Sequence, residues 1–197
     1  MTSTKNSRPR GRPRRFDPDE AVATAKHLFQ AHGYDAVSVT DVTEALGINP
    51  PSFYSAFGSK LGLYTRILDL YADTGAIPFE DILRPERPVP EGLAALLEEA
   101  ARRYAADPAT AGCLVVEGTR CNDAQAREAA RAYNVAAEDM IKAYIAARHP
   151  EEADRLTDFV ATTMFGLSAK ARSGHGADQL LATARLAAAA IRQALAD

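Results

Sequence analysis

Between two glycine breaks near the N-terminus lies Asn49-Pro50-Pro51-Ser52-Phe53-Tyr54-Ser55-Ala56-Phe57, a segment with an amide, three hydroxyls and no charge. Such groups exchange hydrogen bonds and are not nucleophiles or bases without an activating partner, so their chemistry is recognition. Ser38 and Thr40 upstream and Lys60 downstream add hydroxyls and one cation, a set suited to phosphate oxygens and base edges. Ahead of them, residues 1–15 carry Lys5, Arg8, Arg10, Arg12, Arg14 and Arg15 and no acid. With those six set aside, 17 basic residues face 26 acidic ones, a balance of −9 inside an overall −3. A basic arm on an acidic body calls for a polyanionic partner. Residues 16–60 hold only Lys26 and Lys60 against Asp17, Asp19, Glu20, Asp35, Asp41 and Glu44, so the arm must supply most of the counterion-releasing charge.

Signals for other chemistry are absent. The chain has no P-loop, no G-x-S-x-G elbow and no H-E-x-x-H pair, so no enzyme, metal or cofactor is expected. His27, His32, His149 and His175 are scattered and read as ordinary exposed or half-buried side chains. Cys113 and Cys121 are too few for a disulfide framework and fit a reducing compartment. On one helix they would stand about 12 Å apart along the axis, out of reach of a mutual disulfide. Thiol sensing and two inert cysteines both stay open. The longest apolar run, Leu186 to Ile191, is far short of the roughly 20 residues a membrane span needs. Without an apolar leader segment, the reading is a cytoplasmic protein with no membrane partner.

The elements that position the polar set are helical. Asp17-Pro18 caps and starts a first helix that runs to about His32 and stops at Gly33. Ser38 caps a short second helix, with Val39, Val42 and Leu46 inside, which Gly47 ends; Asn49 caps a third, Pro50 to Phe57. A fourth carries Leu63, Ile67, Leu68 and Tyr71 away from this unit. Pro78, Pro85, Pro88 and Pro90 mark a linker. Beyond it the apolar spacing predicts a fifth helix over Leu93 to Tyr104, a short sixth around Cys113 to Thr119, and a seventh opened by Asn122 and Gln125. An eighth carries Leu156 to Ala171, and a ninth Leu180 to Leu195. No stretch alternates as a strand, so the class is all-α with about nine helices. Residues 1–15 form an arm that should be disordered when free, 16–62 a three-helix unit, and 63–197 a larger helical domain.

Two short helices joined by a tight glycine turn can lay the second across a major groove, which admits one α-helix. A purely structural hairpin has the same pattern. Gly47-Ile48-Asn49-Pro50-Pro51-Ser52-Phe53-Tyr54-Ser55-Ala56-Phe57-Gly58-Ser59-Lys60, preceded by Leu28-Phe29 and Gly33-Tyr34, resembles the DNA-binding domain of TetR/AcrR-type regulators. The likeness is close over residues 16–62; beyond Leu63 it rests on helix order and on Gly112-Cys113-Leu114. It implies nine helices, dimerisation through the eighth and ninth, and an inducer pocket among the fourth to eighth. Position by position, it implies phosphate contacts at Ser38, Thr40, Tyr54 and Lys60, and base-edge approach by Asn49, Pro50, Pro51, Ser52 and Ser55. Asn49 and Pro50 can equally serve only to cap and start the helix. Pro50 stands where the family often has Lys, and Ser55 and Ala56 replace larger residues, so the reading head is small and uncharged.

In the arm, Arg10-Gly11-Arg12-Pro13 looks like the core of an AT-hook, whose arginines enter a narrow minor groove; with Arg14 and Arg15 it reads equally as a nonspecific phosphate-binding tail. For the sensor, Tyr71, Tyr104, Tyr133, Glu117, Arg120, Cys121, Met140, Phe159 and Met164 lie on the segments expected around a pocket for a mostly apolar small-molecule effector. The alanine-rich ninth helix suits close packing with the eighth in a four-helix intersubunit bundle through Phe159, Thr163, Gly166, Leu167, Leu181, Ala184, Ala188 and Ile191. The expectation is a homodimeric repressor on a palindromic operator, released by an effector. An electrophile- or redox-responsive regulator and a non-sequence-specific architectural DNA-binding protein are the alternatives.

Overall fold

The computed structural model describes residues 17–74 and 76–196, and every regular element in it is helical. The helices are α1 (Pro18–His32), α2 (Val39–Leu46), α3 (Pro50–Phe57), α4 (Lys60–Thr74), α5 (Phe79–Ile82), α6 (Val89–Tyr104), α7 (Leu114–Gly118), α8 (Ala124–Ala146), α9 (Ala153–Arg172) and α10 (Ala177–Ala194). Two 3-10 turns, Pro108–Thr110 and Pro150–Glu152, connect them. The nine expected helices are all present. The additional α5 is one turn inside the proline-rich stretch, which packs against α6 with Ile82 buried and Phe79 partly so. Four residues earlier than expected, α6 begins at Val89, because Pro90 falls in its first turn, where no amide hydrogen is needed.

The N-terminal helices start and stop by side-chain chemistry. Asp17 Oδ1 accepts the Asp19 amide at 2.9 Å. Ser38 and Asp41 form a reciprocal capping box on α2. Asn49 Oδ1 accepts the Ser52 amide at 2.9 Å. Gly47 takes a left-handed φ of 63°, which lets the chain turn from α2 into α3 within three residues.

Two hydrophobic cores follow. The first gathers Val22, Ala25 and Phe29 of α1, Val42, Phe53, Phe57, and Leu63, Tyr64, Ile67 and Leu68 of α4, then continues to Leu114, Cys121, Ala126 and Ala130. It runs past residue 62 into α7 and the start of α8, so α4 is packed into both parts of the molecule. The second core lies among α6, α8, α9 and α10, with α10 packed chiefly on α6.

Part of the expected dimer surface is buried inside the protomer. Leu167, Ala184, Ala188 and Ile191 are at most 2% exposed, buried within their own chain, where α10 packs on α6 and α9. The outward side of α9 and α10 presents Phe159, Gly166, Ala190 and Leu186, the last 74% exposed, with Thr163 half-buried among them, while Leu181 is half-buried against the second core. Among the described residues no helix is long and apolar enough to cross a membrane.

Candidate nucleic-acid interface and the cavity behind it

Helix α3 is amphipathic across its eight residues. Phe53 and Phe57, one turn apart with ring centroids at 5.4 Å, anchor it in the first core. Pro50, Pro51, Tyr54 and Ser55 lie on the opposite side in solvent, as the i, i+4 spacing of Pro50 with Tyr54 and of Pro51 with Ser55 requires. Tyr54 is 52% exposed and stands edge-on to Phe53 at 5.3 Å. No intrachain hydrogen bond occupies the hydroxyls of Thr40, Ser52, Tyr54 or Ser55 among the described residues. A face of free hydroxyls on a short rigid helix can meet a groove.

The flanking phosphate candidates differ in freedom. Ser38 Oγ donates to Asp41 Oδ2 at 2.7 Å and accepts the Asp41 amide at 3.1 Å, while the Ser38 amide donates to the same carboxylate at 2.7 Å. Both Ser38 donors and the Asp41 amide are therefore committed to the cap, and the donors left at this end of α2 are the Thr40 hydroxyl and the amides of Val39 and Thr40. These bonds hold the Asp41 carboxyl below its ordinary value, the Ser38 hydroxyl first. Lys60 opens α4, with its Nζ 4.1 Å above the Tyr34 ring. Partial burial pulls the Lys60 ammonium pKa down, against the pull of Asp35 and Asp123. Tyr34 is itself pushed up to about 12, first by burial and then by Asp123. Arg10, Arg12, Arg14 and Arg15 lie outside the described residues.

A cavity of about 480 Å³ opens behind this module, between α4, α5, α6, α7, α8 and α9. Of the expected pocket residues, Tyr71, Tyr104, Tyr133, Met140 and Met164 line it. Glu117, Arg120, Cys121 and Phe159 do not. Glu117 is turned away into ion pairs with Arg120 at 2.8 Å and Arg172 at 3.5 Å. Cys121 is buried in the first core and Phe159 lies on the outer face of α9. The wall also holds Phe79, Val115, Phe165 and Cys113, with Glu80, Asp81 and Glu138 as its only charged residues among those described. An apolar spacing pattern shows which residues are inside, not which side of a helix borders a void, and so these were missed.

At the cavity floor, Tyr71 donates to Cys113 Sγ at 3.6 Å. Burial raises the hydroxyl pKa of Tyr71 and of Tyr104 well above the ordinary value, with Cys113 reinforcing both. Tyr133 donates to Asp69, and burial followed by that bond pushes it up to about 12. The two cysteines do not share a helix: Cys113 immediately precedes α7, which ends at Gly118, and Cys121 follows it. Both thiols are free.

Comparison with known proteins agrees with this arrangement. Residues 21–67 match the model of bacterial regulatory proteins, tetR family. The chain is 55% identical over 197 residues, all of both chains, to the HTH-type transcriptional repressor BdcR of Escherichia coli. It is 30% identical over 189 residues, 87% of each chain, to the HTH-type transcriptional repressor ComR of the same organism. Among solved structures, a cysteine mutant of the TetR family regulator CifR complexed with 26 bp operator DNA matches with a TM-score of 0.82 and 33% identity, over 91% of this chain and 99% of that one. With a helix-turn-helix built on Phe53 and Phe57 and a likeness running the full length of a named repressor, the chain belongs to the TetR family and is a DNA-binding transcriptional regulator.

Proposed function

We propose that this regulator is a homodimeric repressor that occupies a palindromic operator and leaves it when a small, mostly apolar molecule enters the cavity. The observation that carries this reading is the placement of α4. Its first residue, Lys60, follows α3 after the two-residue break Gly58-Ser59, and Tyr71, about 16 Å further along the helix, lines the cavity. A ligand pressing on Tyr71 acts on the same rigid element that carries Lys60. The operator-bound and ligand-bound conformers then differ in the angle of the two modules, and a ligand shifts the population only through a preference for one of them. DNA contact is assigned to Thr40, Asn49, Pro50, Pro51, Ser52, Tyr54, Ser55 and Lys60, to the start of α2 after Ser38, and to Arg10, Arg12, Arg14 and Arg15 of the arm. The partner protomer is assigned to the outer face of α9 and α10.

Selecting bound sequences from random DNA, then screening small molecules for release, tests the proposal. A palindromic consensus and release by compounds that fail to bind a cavity-filled Ala137→Trp variant are expected. Binding without sequence preference would instead favour an architectural protein.

A second reading concerns the effector's chemistry. Cys113 is the one thiol on the cavity wall, hydrogen-bonded by the buried Tyr71 phenol. A soft electrophile small enough for the cavity would add to this sulfur and leave Cys121 untouched. N-ethylmaleimide should release operator from the wild type and not from Cys113→Ser; equal release from both removes the thiol from the mechanism.

A further inference from the structure

Arg172, the last residue of α9, reaches out of the helical body to the end of α1. Its Nη1 donates to the carbonyl of Gln30 at 2.9 Å and to that of Ala111 at 3.2 Å, and its Nη2 donates to Ala31 at 3.3 Å. Gln30 and Ala31 lie in the last turn of α1, whose carbonyls have no partner within the helix and carry the negative end of its dipole. A planar fork with several fixed donors is the side chain that can bridge three carbonyls on two separate segments. The Gln30 side chain answers with its own bond to the Thr110 carbonyl at 2.9 Å.

The same turn of α9 also holds the cavity wall. Ser168, one turn before Arg172, accepts the Cys113 amide at 2.9 Å. Between these anchors the chain runs through Gly112 at a φ of 87°, where a Cβ would come within 2.8 Å of the Arg172 side chain and 3.0 Å of Ser168 Oγ. Glu117, on the helix that brings Val115 and Val116 to the cavity, completes the set 3.5 Å from Arg172 Nε.

We infer that Arg172 is a positioning residue for DNA recognition: by capping α1 from the end of α9, it fixes the angle at which the helix-turn-helix is presented relative to the dimer-facing helices. The inference rests on the reading of a dimer spanning two half-sites. Its contact with the α7 segment places it where a ligand-driven shift of that segment would loosen the cap.

The test uses the full chain and the operator obtained by selection, with synthetic variants in which the half-sites are moved apart by one and two base pairs. The wild type should bind the original spacing and reject the altered ones. Arg172→Met should lose about tenfold in affinity for the original spacing while discriminating between spacings at least about tenfold less, with the far-ultraviolet spectrum of a folded helical dimer. Arg172→Lys, which keeps the charge and loses the fork, should fall between them. If Arg172→Met keeps the wild-type spacing profile, the inference is overturned, whether or not it is less stable. If wild-type protein itself shows no spacing preference, the dimeric operator reading fails instead.

Discussion

The two roles open to Asn49 can be separated by two substitutions at one position. Its side chain accepts the Ser52 amide at 2.9 Å and is exposed at the start of α3, where the amide groups of the helix point outward. Asn49→Ala removes the cap, which costs about 1 kcal/mol, and so lowers the melting temperature by roughly 2–4 °C in a chain of this size. Asn49→Asp keeps the acceptor and adds negative charge at the positive end of the helix dipole, favourable by about 0.3–1 kcal/mol. In the free protein the aspartate variant should therefore melt at or slightly above the wild type. On DNA the same carboxylate would sit at the groove, within the negative field of the flanking phosphates, and the affinity should drop about tenfold or more, most steeply at low salt where repulsion is least screened. Thermal melts of the free protein and fluorescence anisotropy with a labelled operator at two salt concentrations give both numbers. Undiminished operator affinity in the aspartate variant would refute the reasoning, leaving Asn49 as a cap turned away from the duplex.

Three further outcomes are expected. Deleting residues 1–15, with their six basic side chains per protomer, should weaken operator binding and flatten the slope of log affinity against log salt by up to about 5 per arm, about 11 for the dimer; an unchanged slope in a salt titration removes the arm from the interface. Leu186→Glu, at the most exposed apolar side chain of α10, should shift sedimentation toward the monomer and abolish operator binding without unfolding the protomer, and an intact dimer would move the interface elsewhere. Ser38→Ala should be less stable at neutral pH. Asp41 is held below its ordinary 3.8 in the folded state, so its share of stability is present above that value and lost as the pH falls through the lowered one. Melts over roughly pH 2 to 7 should therefore show the gap between wild type and Ser38→Ala closing below about pH 4, and a gap that stays constant would detach the carboxyl from the cap.

The DNA-binding module was legible because its signals are local. Asp17, Ser38 and Asn49 each accept a backbone amide within three residues, and Gly33 and Gly47 end helices in conformations that need no distant partner. The outward face of α3 followed from where Phe53 and Phe57 had to go. The body of the molecule was legible only as helices. Periodicity gave α10 an apolar stripe, yet nothing in a stripe says whether α6 of the same chain or a second copy will cover it. Ala184 and Ile191 consequently proved to be core. The cavity depends on how five or six helices diverge, so Cys113 and Phe165 appeared on its wall, while Glu117 and Arg120 turned outward to pair with each other. Arg172 was silent in the sequence, since its meaning depends on carbonyls more than a hundred residues away.

The most direct test of the account is a hydroxyl-radical footprint of the full chain on its selected operator. Two equally protected tracts on one face of the duplex, related by a dyad and centred about 34 Å or a multiple of it apart, are the predicted result. A single tract, or protection that ignores sequence, would contradict a pair of α3 helices reading the groove.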